Sequence, residues 1–130
     1  MRYAALNRLL QSKVYLDEAT NLPNKNKCKE LLNAPDPIPD DSFAAVCVFD
    51  LNNLRIINNT MGHEMGDAYI RSFADQLRLA VPEGQFAGRD GGDEFIAIFK
   101  DTESSAVHNS LHKLKKLCSD YSEAHPDMPI

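Results

Sequence analysis

The chain has 130 residues, 43% of them hydrophobic, and a formal net charge of −5, which suits a single domain with one core of ordinary size. A duplex nucleic-acid surface is not expected, because neutralising phosphates takes clustered cations; the densest group here, Lys113, Lys115 and Lys116, reads as one solvated helix face. No apolar run approaches membrane-spanning length and the N-terminus lacks a signal-peptide core, so a soluble, cytoplasmic segment without membrane contact is expected.

Taken in chain order, residues 3–16 set Leu6, Leu9, Leu10, Val14 and Leu16 among polar residues, the pattern of an amphipathic helix too short to establish a coiled coil alone. Asn24 is suited to cap a helix reaching Leu32, and Pro35, Pro37 and Pro39 end it as a loop because none can continue the hydrogen-bond ladder. Residues 43–49 are apolar throughout, consistent with a strand buried on both faces, and Asp50 closes that run. A short helix is expected over residues 53–58, then a longer one from near Gly66 with Ile70, Phe73, Ala74, Leu77 and Val81 turned inward. Residues 85–88 and 95–99 read as a hairpin joined through Gly91-Gly92, where both glycines can take positive φ.

The last helix is expected over about residues 103–124, capped by Asp101 or Thr102, with Val107, Leu111, Leu114, Cys118 and Tyr121 on one face. The order β-α-β-β-α lacks one strand of the ferredoxin-like plan, an α+β antiparallel sheet covered by helices. Met128-Pro129-Ile130 is where that strand would begin. Cys28, Cys47 and Cys118 contain no C-x-x-C pair, which fits reduced thiols, with Cys47 expected in the core. His108 and His112 are four apart on a helix but have no further ligand nearby, so they read as exposed surface.

The chemistry concentrates in Gly91-Gly92-Asp93-Glu94, two glycines and two carboxylates between strand-like runs. Asp50 closes the apolar strand and would face a cleft. If that strand pairs with the hairpin, Asp50 and Asp93 converge and supply hard oxygen ligands for Mg²⁺, which takes its remaining ligands from water and substrate phosphates. Metal-assisted phosphoryl chemistry follows from that arrangement. No G-x-x-x-x-G-K-[ST] loop is present, so the chain is not a P-loop enzyme.

Three ordered stretches resemble the GGDEF domain, the family of diguanylate cyclases that condense two GTP molecules into cyclic di-GMP. Residues 17–25 are similar to D-x-L-T-G-L-P-N-R, with Ala19, Asn21 and Lys25 at three of the usual positions. Residues 50–67 resemble D-L-D/N-x-F/L-K-x-I-N-D-x-x-G-H-x-x-G-D, with Arg55 in place of the usual Lys, and residues 89–95 carry the signature. The resemblance implies a polymerase-palm-like core over residues 17–130 and a stalk helix over residues 1–16 arriving from an upstream sensory domain, in a cytoplasmic part of a larger protein that could be membrane-anchored. The family's closing strands and its last helix, which supplies Lys and Arg to the triphosphate, have no counterpart before Ile130; a C-terminally cropped domain is expected.

By the same resemblance, Asp50, the Leu51 carbonyl and Asp93 hold Mg²⁺, with Mn²⁺ as the alternative ion. Asp93 and Glu94 are the catalytic pair, Glu94 acting near the metals or on the proton path from the attacking hydroxyl. The GTP site comprises the backbone N–H groups of Asn53 and Leu54 on phosphate, Arg55 beside them, and Asn58 and Asp67 on guanine. A carboxylate can accept both N–H groups of guanine's Watson–Crick edge, which adenine lacks. The family's R-x-x-D inhibitory site is replaced by Pro82-Glu83-Gly84-Gln85, so none is expected, and Asp90 replaces a usually apolar residue. The activity implied is a cyclase working as a homodimer of two GTP half-sites. The alternatives are a non-catalytic GGDEF module that binds GTP or connects a sensor to a partner, and a polymerase-like palm, against which the acidic surface counts.

Overall fold

The computed structural model describes residues 14–33, 43–51 and 53–130. Its elements are helix α1 (Lys25–Leu32), strand β1 (Phe43–Asp50), helices α2 (Leu54–Met61) and α3 (His63–Ala80), strands β2 (Phe86–Arg89) and β3 (Glu94–Thr102), and helix α4 (Ser104–Ala124). The expected stalk helix lies mostly outside the described residues, and the proline loop lies wholly outside them.

The strands form one antiparallel sheet in the order β1-β3-β2. Register decides what each face carries. Phe49 pairs with Phe95, Cys47 with Ala97 and Ala45 with Phe99, and these side chains meet α3 and α4 through Phe73, Leu77, Val107 and Leu114. Phe95 and Phe99 are among the largest fully buried side chains, and Phe73 meets Phe95 edge-on with ring centroids 5.0 Å apart. The opposite face carries Ile96 and Ile98 under Cys28, Leu31 and Phe86, so α1 lies across β2 and β3. This is the antiparallel α+β arrangement read from the sequence.

Asn24 caps α1 as expected, its side-chain oxygen accepting the Lys27 N–H at 3.2 Å. Ile70, Phe73, Ala74 and Leu77 are buried on α3. That helix starts at His63, earlier than expected, because Gly62 at φ 92° turns the chain sharply after α2 and lets the next helix begin at once.

Four expectations need correction. Strand β1 is not buried on both faces: Val46 and Val48 are 53% and 62% exposed, because β1 lies at the sheet edge and the α1 cluster covers only β2 and β3. Cys47 points to the covered side yet is only half-buried, whereas Cys28 is the fully buried thiol. Helix α4 is not capped by Asp101 or Thr102. Both belong to β3, Asp101 in the left-handed region at φ 51°, and Glu103 precedes the helix without a side-chain cap bond.

The fourth correction concerns the chain end, where no strand begins at Met128-Pro129-Ile130. Met128 is buried after a turn closed by its N–H on the His125 carbonyl. The Ile130 N–H and carbonyl both bond the Ser122 hydroxyl, at 2.9 and 3.0 Å, so α4 satisfies backbone groups that a neighbouring strand would otherwise take.

Candidate active site

Strand register assembles the acidic end of the sheet. Asp50 is the Cα partner of Glu94, and the Leu51 N–H donates to the Asp93 carbonyl at 2.9 Å. Asp50, Leu51, Asp93 and Glu94 are therefore brought to one end. Asp50 and Asp93 are exposed, Glu94 is half-buried and Leu51 is buried. Residue 51 anchors the crossing while the two aspartates remain open to a ligand.

The turn itself differs from expectation, since neither Gly91 nor Gly92 has positive φ; Gly62 and Gly84 are the described glycines that do. The loop spans residues 90–93 and reverses through a shared acceptor, the Glu94 carbonyl, which takes the N–H groups of Asp90 (2.8 Å) and Gly91 (3.2 Å). A four-residue connection has no need of the left-handed pair that a two-residue turn requires.

Arg89 fixes that loop. Its Nε donates to the Gly91 carbonyl at 3.1 Å, Nη2 to the Gly92 carbonyl at 2.7 Å, and Nη1 to the Asp17 carboxylate at 3.2 Å. Asp17 in turn accepts the Thr20 N–H (3.0 Å) and hydroxyl (2.7 Å), and both partners of the ion pair are largely withdrawn from water, at 16% and 22% exposure. One planar guanidinium thus ties the residues 17–20 turn to the signature turn, a fork geometry that Lys cannot reproduce. Sequence reading missed this tie. The Asp17-x-x-Thr20 spacing signals a local turn, but it does not reveal which distant cation completes it.

Four carboxylates crowd the same end. Asp90 and Glu94 form a carboxyl pair that can hydrogen-bond only when one carries a proton. That pairing first, then burial, then the charges of Asp90, Asp50 and Asp93, raise the Glu94 pKa above its ordinary value. On the α1 side, burial first and the Asp90 charge second push the Cys28 thiol up to about 11.

The residues expected to contact the nucleotide lie at a second place. Asn53 precedes α2 without a side-chain cap bond, the Leu54 N–H reaches the Leu51 carbonyl at a long 3.4 Å, and Arg55 is exposed. Asn58 is half-buried on α2 and Asp67 is exposed on α3, just past the Gly62 corner. Among the described residues, neither side chain has a hydrogen-bond partner, and the start of α2 is tied to the acidic end through the Leu54 N–H on the Leu51 carbonyl.

The donors present are chemically suited to Mg²⁺: two carboxylates and a carbonyl, all hard oxygens, among like charges that a cation would relieve. Among the described residues, no three His, Cys, Asp or Glu side chains gather into a ready-made cage. A site completed by water and phosphate fits this donor set better than an all-protein one. His108 and His112 are exposed on α4, away from these donors. At the stretch read as lacking an inhibitory pair, Gln85 bonds the Lys100 carbonyl and N–H at 2.9 and 2.8 Å.

An antiparallel palm-like sheet ending in paired carboxylates, with helices on its covered face, defines the class. Within it, the family profile described as "Diguanylate cyclase, GGDEF domain" matches residues 14–129, and the chain belongs to that family. It is 31% identical over 91 residues to cyclic di-GMP phosphodiesterase PdeR of Escherichia coli K12, covering 70% of this chain and 14% of that protein. It is 26% identical over 112 residues to diguanylate cyclase DgcP of the same strain, covering 85% and 33%. The chain therefore spans a third or less of these relatives. Among solved structures, the GGDEF domain of DgcB from Caulobacter crescentus in complex with c-di-GMP is similar at a TM-score of 0.74 and 28% identity, covering 82% of this chain and 63% of that one. The S helix-GGDEF-EAL structure of Vibrio cholerae LapD shares the fold at a TM-score of 0.79 and 19% identity, covering 92% and 29%. Among the described residues, no helix is long and apolar enough to cross a membrane.

Proposed function

We propose that this domain is one half-site of a diguanylate cyclase: it binds one GTP, and two copies face each other to form cyclic di-GMP and two pyrophosphates. The observation that carries the reading is the register placing Asp50 opposite Glu94, with the Leu51 N–H on the Asp93 carbonyl. Three oxygen donors at an open sheet end suit a triphosphate and its counter-ions. Relatives named as diguanylate cyclases support the reaction class.

In this mechanism Asp50, Asp93 and the Leu51 carbonyl would hold Mg²⁺. Bound there, the ion supplies charge neutralisation of the triphosphate and Lewis acidity at the α-phosphorus. Asp67 accepts the two N–H groups of the guanine edge and Asn58 bonds a neighbouring base atom, which orients the nucleotide and rejects adenine. The N–H groups of Asn53 and Leu54, at the start of α2, hold phosphate oxygens, the Leu54 N–H exchanging its long bond to the Leu51 carbonyl for one to phosphate. Glu94 holds a proton more tightly than an isolated carboxylate, which suits it to take one from the attacking ribose 3′-hydroxyl. Joining two identical nucleotides symmetrically needs two such sites, hence a homodimer. The domain would take its input from a sensory domain preceding it.

A second reading is favoured by Asp90, whose charge crowds Glu94 and opposes the loss of that group's proton. In it, the domain binds GTP and regulates a partner without turnover, in line with relatives named as phosphodiesterases. The deciding experiment incubates the full-length protein with GTP and Mg²⁺ beside an Asp93→Ala control and detects cyclic di-GMP by mass spectrometry. Product that disappears in the control is expected. Absence of product from a folded, GTP-binding parent would establish the second reading.

A further inference from the structure

Helix α3 carries Gly66 in its first turns, buried, where Ala would favour the helix and Gly disfavours it by about 1 kcal/mol. Its φ is ordinary, so no turn demands it. What demands it is space. A Cβ at Gly66 would overlap Asn58 Oδ1, fall 2.8 Å from Asn58 Cγ and sit 3.4 Å from Leu54 Cδ1. The Asn58 carboxamide occupies the volume in which any other residue at position 66 would put its side chain. The single-residue link at Gly62 makes this possible, because the Gly62 N–H bonds the Asn58 carbonyl at 3.1 Å and the Gly66 N–H bonds the Gly62 carbonyl at 3.2 Å, folding α2 back onto the start of α3.

We propose that Gly66 is a positioning residue for base recognition: by lacking a side chain it forms the notch that seats the Asn58 amide beside Asp67. This rests on the reading of Asn58 as a guanine contact. Specificity at this corner is then set by shape, since among the described residues Asn58 has no hydrogen-bond partner to hold its side chain. A methyl group at position 66 evicts the amide and leaves Asp67 to contact the base alone.

The test measures GTP and ATP binding by calorimetry for the parent, Gly66→Ala, Asn58→Ala and the double variant, together with thermal midpoints and the NMR cross-peaks between the Gly66 Hα and Asn58 side-chain amide protons. Gly66→Ala is expected to weaken GTP about tenfold, matching Asn58→Ala, while ATP binding stays at the parent level. In the Asn58→Ala background, Gly66→Ala should add no further loss, because no amide remains to be displaced. A purely structural glycine would instead lower GTP and ATP binding together.

Parent-level GTP binding by Gly66→Ala, or an undiminished further loss in the Asn58→Ala background, overturns the proposal. If Gly66→Ala alone does not fold, the double variant should recover folding, and its failure to do so also overturns it. Unchanged GTP binding by Asn58→Ala would instead retire the guanine reading of Asn58, and with it this role for Gly66. The cross-peaks would still report the notch separately, present in the parent and lost in folded Gly66→Ala.

Discussion

The acidic turn and the α2–α3 corner sit within one domain but are built by opposite means. The turn is cross-linked: the β1–β3 register, the bond from Leu51 to Asp93, and three Arg89 contacts hold its backbone, while Phe95 anchors the next residue in the core. The corner is left open, with Asn58 and Asp67 held by helix geometry and a missing side chain. Like charges repel, so carboxylates gathered at one end stay there only if the backbone beneath them is fixed; a base reader, the role proposed for the corner, needs its polar atoms unspent until the base arrives. Stability should therefore respond to lesions at the turn, and nucleotide selectivity to lesions at the corner.

The largest effect should come from Phe95→Ala. Removing a fully buried ring that meets Phe73 edge-on should cost about 3–5 kcal/mol in denaturant unfolding, enough to threaten the fold of a domain this size. A cost below about 1 kcal/mol would mean the ring does not anchor the turn.

Next is Arg89→Ala, which strips the clamp and leaves the largely buried Asp17 without its cation. We expect about 1–3 kcal/mol of destabilisation and faster amide exchange across residues 90–94. Arg89→Lys should recover only part of it, lacking the fork. By contrast, Asn58→Ala should stay within about 0.5 kcal/mol of the parent in stability while losing GTP affinity. Equal stability losses at both places would erase the contrast.

The smallest effect is in pH dependence. Because the folded-state pKa of Glu94 is raised, its contribution to stability is present below its ordinary carboxylate value and is lost as pH rises through the raised one. Asp90→Asn removes the paired carboxyl and one neighbouring charge, so the Glu94 titration, followed by carboxyl-carbon NMR, should move down and the loss of stability toward neutral pH should shrink. Added Mg²⁺ should move the parent's titration the same way. No movement in either case would detach Asp90 from the site.

The acidic residues were legible in sequence as two short patterns, an apolar run ending in Asp50 and paired glycines and carboxylates between strands, and it is the pairing of β1 with β3 that brings them to one end. The helices were legible through spacing, as with Phe73 and Leu77 on α3. What escaped depends on neighbours distant in sequence. An apolar run cannot say which of its faces is covered, so Val46 and Val48 looked internal although β1 is an edge. The glycines at 91 and 92 suggested a two-residue reversal, but loop length is set by where pairing stops, between Arg89 and Phe95. The chain end suggested a strand because extended backbone and a serine hydroxyl are interchangeable hydrogen-bond solutions, and sequence alone does not rank them. Arg89 matched a motif, but the three groups it joins come from two separate turns.

Gln85 offers a different lesson. Its amide donates to the carbonyl and accepts from the N–H of Lys100, so this side chain acts as one more rung beyond the end of β2. Only a carboxamide presents donor and acceptor side by side in that way; a carboxylate could accept the N–H but would leave the carbonyl unanswered, and a guanidinium the reverse. Position 85 can splice the hairpin or offer a formal charge to a ligand, and in this chain it splices. An acidic residue substituted there would begin by unfastening the strand end, so a formal charge at this position entails a looser hairpin.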